Sequence, residues 1–161
     1  MPFPPFCFGN HFLILKKWQK NLNNVDFFGK NKGMKKLGKY FLLFAIGGAS
    51  YAAIELLWRG KTHWSMVIAG GICLIAFSLL ESKLADRPLI LRVILAASFI
   101  TLIEFVFGIT FNILLGMNVW SYAEMPYNVM GQICPTFSLL WCGLSFAALP
   151  VARFLNRKIN F

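Results

Sequence analysis

Two glutamates, Glu55 and Glu104, stand inside long apolar runs of this chain. An ionised carboxylate at the centre of a spanning helix costs roughly 2.5 to 3.5 kcal/mol on insertion scales, so each needs a partner, a proton or water. Glu55 precedes Arg59 by four residues. That spacing puts both on one helical face, with the arginine able to reach back from the membrane surface, and the ion pair Glu55 with Arg59 is a structural reason for the acid as good as a functional one. Glu104 has no such local partner. It belongs instead to a stripe, because Thr101, Glu104, Gly108 and Asn112 recur at three- and four-residue steps and so share one helical face. A polar stripe should face protein or water. Gly48, Tyr51 and Glu55 share a face in the same way, and Ser138, Cys142 and Ser145 give a weakly polar side to a later run. The expected interior therefore gathers Tyr51, Glu55, Glu104, Asn112 and Ser138 as a polar path. Such groups can bind and pass a solute, or act as acid and base. No nucleophile, metal site or phosphate-binding element accompanies them in the sequence, so no enzyme is expected.

The elements that must position these residues follow from composition. The chain has 161 residues, is 58% hydrophobic and only 14% charged, whereas soluble domains carry about a quarter charged residues. Its mean hydropathy is +0.63. Four apolar runs, at residues 41–58, 64–80, 93–115 and 133–150, are each long enough to cross a hydrocarbon core of roughly 30 Å as a helix. The short alternating segments of a β-barrel are not found. The expected fold is all-α, a polytopic membrane protein built as a four-transmembrane-helix bundle. At helical rise Glu55 and Glu104 fall at similar depths in its outer half.

Charge sets the orientation. Of the 16 basic residues, eight lysines precede the first run, Lys83, Arg87 and Arg92 lie around the second connection, and Arg153, Arg157 and Lys158 follow the fourth run. Only Arg59 and Lys61 occupy the first connection, and the third, residues 116–132, has no lysine or arginine. The positive-inside rule then places both termini in the cytoplasm and the third connection outside. The membrane expected is the cell inner (plasma) membrane of a bacterium. The net charge of +10 thus reads as orientation and attraction to anionic lipid of the bilayer, and no nucleic acid is expected as a partner.

The domain reading is a basic N-terminal extension over 1–37, cytoplasmic and poorly ordered or interfacial, a transmembrane domain over 38–155, and a tail over 156–161. Leu15, Trp18, Leu22 and Val25 fit one face of a short interfacial helix. A cleaved signal is not expected, since the lysines follow the apolar "HFLIL", and "MKKLGKYFLL" from Met34 reads as a natural start with its own positive region. Cys7, Cys73, Cys134 and Cys142 show no ligand-like spacing. His63, beside Trp64 at a helix entrance, suits hydrogen bonding at the interface better than metal. Neither a metal nor any other cofactor is expected, and without a Walker sequence any ATP hydrolysis would need a separate ATPase chain.

The small residues Ala45, Ala49 and Ala53, and the pair Gly70 and Gly71, read as faces for helix packing. The third connection is different: Trp120, Tyr122 and Tyr127 suit the membrane interface, Pro126 and Gly131 punctuate the chain, and Asn128 and Gln132 can bond backbone groups where the fourth helix starts. This external loop either anchors helix depth or folds back over the mouth of the bundle.

The string "WSYAEMPYNVMGQICPTFSLLW", with "YAAIELLWRGKTHWSMVIAGG" and "LIEFVFGITFN", resembles the putative ABC-transporter permease family of the CmpB type, small bacterial membrane proteins. The resemblance covers roughly residues 38–152. It picks out Glu55, Arg59, Gly60, Glu104, Trp120, Tyr122, Pro126, Asn128, Gly131, Cys134, Ser138 and Trp141. An acidic residue that commonly follows the loop tryptophan in that family is Ser121 here. The resemblance implies a transport-associated integral membrane protein of unspecified substrate. The alternative is a non-transporting organiser or regulatory subunit acting through helix packing. Four helices are few for alternating access, so a homo-oligomer or a partner membrane chain is expected.

Overall fold

A computed structural model describes residues 9–159, with side chains from residue 33 onward. The expectations for the N-terminal extension, including the face of Leu15, Trp18, Leu22 and Val25, lie outside the described side chains. The chain divides into two compact units, residues 1–38 and 39–161.

Among the described residues four α-helices make the fold: α1 (Gly9–Arg59), α2 (Trp64–Lys83), α3 (Leu89–Phe107) and α4 (Pro135–Lys158). The short connections after α1 and α2 force antiparallel neighbours, and the longer third connection brings the chain back for α4. The segments long and apolar enough to span are Gly33–Arg59, Trp64–Lys83, Leu89–Leu114 and Pro135–Lys158. The all-α four-helix expectation is met. Boundaries shift by a few residues where capping decides them. His63 caps α2, its Nδ1 accepting from Ser65 N–H at 3.3 Å. Pro88 is the N-cap of α3. Extended Cys134, followed by Pro135 in the first turn, delays α4 past residue 133. The outward faces are greasy, with Phe41 at 73%, Leu57 at 90% and Leu139 at 72% exposure, as lipid-facing residues should be.

Glycines let α1 and α2 meet almost backbone to backbone. A Cβ placed on Gly47 would lie 2.5 Å from the Gly70 carbonyl oxygen, and one on Gly70 would lie 2.5 Å from the Tyr51 Cβ. The expected packing role of Gly70 and Gly71 is therefore realised. The Ala45, Ala49 and Ala53 face is not: all three are exposed, because the glycines one turn around the helix permit the closer approach and take the contact. Below this seam, Leu43, Leu74, Phe77, Val93, Ala96, Ile100 and Leu149 form the buried core.

The end of the third span is irregular. From Gly108 to Leu114 the helix widens to π geometry, a form that often marks functional positions. One extra residue per turn swings the polar stripe, and Asn112 emerges towards the third connection.

Candidate functional site

The third connection folds back onto the bundle through Asn112. Its side-chain amide donates to the Trp120 carbonyl and to Gln132 Oε1, both at 2.8 Å, and its Oδ1 accepts from Val119 N–H at 2.7 Å. The Gln132 side chain lies over Gly108, where a Cβ would come within 2.6 Å of its Oε1. Trp120 Nε1 donates to the Gln132 carbonyl at 3.1 Å. Asn128 ties the turn around Pro126, donating to the Ala123 and Met125 carbonyls and accepting from Gly131 N–H. Tyr127, Met130 and Gly131 take positive φ of 57°, 52° and 67°. Two of these are not glycine, and their backbone strain is balanced by the surrounding hydrogen bonds.

Under this loop lies a cavity of about 400 Å³. Tyr51 and Glu55 reach it from α1, Glu104 from α3, Trp141 from α4, and Trp120 and Tyr122 from the loop. Each Glu104 oxygen accepts one neutral donor: Tyr122 O–H at 2.7 Å on Oε1 and Trp141 Nε1–H at 2.8 Å on Oε2. Burial pushes the Tyr122 phenol well above its ordinary value, and the charge of Glu104 adds to the rise. The phenol therefore keeps its proton and remains a donor. Glu55 is held differently. Arg59 donates to its Oε1 at 3.0 Å and Thr62 to its Oε2 at 2.6 Å, while Arg59 also donates to the Val119 carbonyl at 2.8 Å. The expected i, i+4 ion pair is present, and its arginine also ties α1 to the loop. By formal charge, Glu55 and Arg59 cancel, and Glu104 has no cationic partner among the described residues.

Of the expected polar path, Tyr51, Glu55 and Glu104 meet in one cavity, while Asn112 and Ser138 stand outside its lining. The π turn directs Asn112 to the loop backbone. Ser138 lies 3.4 Å from Thr101 Oγ1 and donates to the Cys134 carbonyl at 3.2 Å, so it joins α3 to α4. The loop aromatics also need revision as interfacial anchors. Trp120 is 8% exposed and Tyr127 is 88% exposed, so Tyr127 faces outward while Trp120 and Tyr122 close the cavity.

A second polar cluster was not anticipated. Glu81 on α2 is buried, accepting from Arg92 of α3 at 2.5 Å and from Arg153 of α4 at 2.8 Å. Next to it, Asn156 donates to the Ser78 carbonyl at 2.8 Å and accepts from the Ser78 hydroxyl at 2.6 Å. Both arginines read as orientation signals in the sequence. The signal that could have found the cluster is Glu81, an acid at the end of an apolar run with basic residues at the matching ends of the two neighbouring runs.

A family profile described as "Putative ABC-transporter type IV" matches residues 40–160. No curated protein and no solved structure matches the chain.

Proposed function

The chain belongs to the putative ABC-transporter type IV family, and from that premise we propose that it is the membrane-spanning subunit of a transport system, with the cavity under the loop as the solute site. The observation that carries this reading is the meeting of Tyr51, Glu55 and Glu104 in one pocket of about 400 Å³ beneath Trp120 and Tyr122. Hollow space walled by convergent polar groups is what a binding site needs. Helix packing alone would have filled it.

In this reading the loop end faces outward and the termini lie in the cytoplasm of a cell with this protein in its plasma membrane. Support comes from Lys83, Arg87, Arg92, Arg153, Arg157 and Lys158 at the helix ends away from the loop, against Arg59 and Lys61 beside it. The chain does no covalent chemistry, and ATP hydrolysis belongs to a separate subunit. A second copy or a partner membrane chain completes the path, since four helices offer few surfaces for alternating access.

The test is solute flux in cells lacking the native chain and supplied with the wild type or Glu104→Gln, at matched membrane levels. Solutes whose uptake or efflux depends on the chain should lose about tenfold in rate with the variant, the scale of one lost charge-assisted contact. Unchanged flux of every solute that deletion affects, with altered assembly instead, would transfer the acids to a packing role.

A further inference from the structure

Adjoining the polar cavity is an apolar chamber of about 270 Å³. The two share Tyr51, Ile54, Gly70, Cys73, Ile100 and Leu144 as walls, and the chamber continues along Ile46, Leu74, Phe77 and Val151 away from the loop. The two spaces thus meet at a common wall, with the acidic and aromatic side chains on the loop side. The loop end is aromatic as well as acidic: Tyr51 and Trp141 ring centroids lie 6.5 Å apart, Phe137 and Trp141 6.4 Å, and Tyr122 stacks on Phe137 at 4.4 Å.

We propose that the joined space holds an amphiphilic monocation, an ammonium head with a single hydrocarbon tail, taken up sideways from the bilayer. Formal charge fixes the sign of the head. Glu55 is neutralised by Arg59, whereas Glu104 accepts only from Tyr122 and Trp141 and pairs with no cation among the described residues. A cationic head beside Glu104 supplies the missing countercharge, and Tyr51 and Trp141 line the same cavity with aromatic rings, a residue class that attracts ammonium groups. The tail follows from the chamber, whose walls offer it hydrocarbon and almost no hydrogen-bonding group.

The route follows from exposure. Ile54 of α1 is 45% exposed, and Leu140 and Val151 of α4 are 52% and 51% exposed, yet each lines one or both of the spaces. The rim is thus formed by lipid-facing residues of α1 and α4, and the mouth opens to acyl chains. An amphiphile dissolved in the bilayer reaches it tail and head in register, without crossing the loop.

This substrate class rests on the transport reading of the same cavity, and the binding measurement separates the two. The full chain in phosphatidylcholine nanodiscs is titrated with decyltrimethylammonium, decyl sulfate and tetramethylammonium, with empty discs subtracted. Saturable binding of decyltrimethylammonium is expected, about tenfold or more tighter than either of the others. Glu104→Gln should abolish the preference over decyl sulfate. Ala147→Phe, which fills the chamber from its open side, should weaken decyltrimethylammonium and leave tetramethylammonium unchanged, so a poorly folding acid variant does not decide the matter alone. Equal binding of decyl sulfate overturns the charge assignment, equal binding of tetramethylammonium overturns the tail, and absence of saturable binding overturns both. If flux still depends on Glu104 after any of these failures, the transport reading stands without this substrate. If decyltrimethylammonium binds as expected but no flux depends on Glu104, the site survives and the transport reading falls.

Discussion

Glu104 shows how a buried acid can be held without an ion pair. Two neutral donors, Tyr122 and Trp141, occupy its two oxygens, which satisfies hydrogen bonding without supplying an opposite charge. An arginine in either place would have satisfied both. Removing one donor leaves an oxygen unpaired inside the bundle, a loss of about 1–3 kcal/mol. Tyr122→Phe should therefore lower the thermal midpoint of the purified protein. Its pH dependence is more specific. The folded phenol titrates above the unfolded value of about 10, so the folded state binds more protons between the two values and stability falls as pH rises past the lower one. The wild type should thus lose stability above about pH 10, and Tyr122→Phe should lose less over the same range. Parallel alkaline curves for the two proteins would show that Tyr122 is not the group involved. Glu55 is held by a different set of partners, because Arg59 and Thr62 engage its two oxygens. Its charge is spent on structure, and on tying α1 to Val119.

At the scale of the helix pair, α1 and α2 owe their contact to missing side chains. Gly47 and Gly70 pack where a single methyl would collide with opposing backbone, whereas nothing lies within 4 Å of a Cβ built on Gly143 of α4. Gly70→Ala should destabilise the protein by about 1–3 kcal/mol through overpacking, and by pushing Tyr51 aside it should also alter the cavity wall. Gly143→Ala should be neutral or stabilise by up to about 1 kcal/mol, since the helix gains propensity at no steric cost. Thermal unfolding of the two variants side by side checks the contrast, and equal effects would mean that the close approach does not carry the helix contact. These elements also show what a sequence can disclose. The four spans were readable because crossing a bilayer requires apolar length, and Glu55 with Arg59 was readable because both lie within one turn. The partners of Glu104 lie 18 and 37 residues away, a separation that no periodicity encodes. Small residues proved ambiguous for a physical reason: Ala45, Ala49 and Ala53 allow close packing but do not demand it, and the neighbouring glycines won the contact. Regular helical spacing puts Asn112 on the stripe of Glu104, and the π segment turns it to the loop backbone instead.

The helix bundle of residues 39–161 has one hollow end and one locked end. Beneath the loop the helices separate around the cavity, while at the far end Glu81 joins α2, α3 and α4 through Arg92 and Arg153. On the transport reading proposed above, this cluster closes the path on the side where the basic residues gather. Its members should contribute unequally. Glu81 and Arg92 have side chains only 2% and 9% exposed, whereas that of Arg153 is 39% exposed. Glu81→Ala leaves two guanidinium groups facing each other with no acid between them, and Arg92→Ala leaves a buried carboxylate with one half-exposed partner. Breaking a buried pair by removing one member costs about 3–5 kcal/mol, and less is lost with Arg153, whose own side chain is 39% exposed and whose removal leaves Glu81 paired with Arg92. Unfolding of the three alanine variants in detergent should rank Glu81 first, Arg92 next and Arg153 well behind. If Arg153→Ala proved the most damaging, the far end would be held from α4 outward, and the buried Glu81 and Arg92 pair would not be its centre. Flux should respond in the reverse order of stability. Arg153→Ala loosens the closed end without dismantling it, so it should raise leak through the path while the protein stays folded. Glu81→Ala should lose folded protein before any leak can be read.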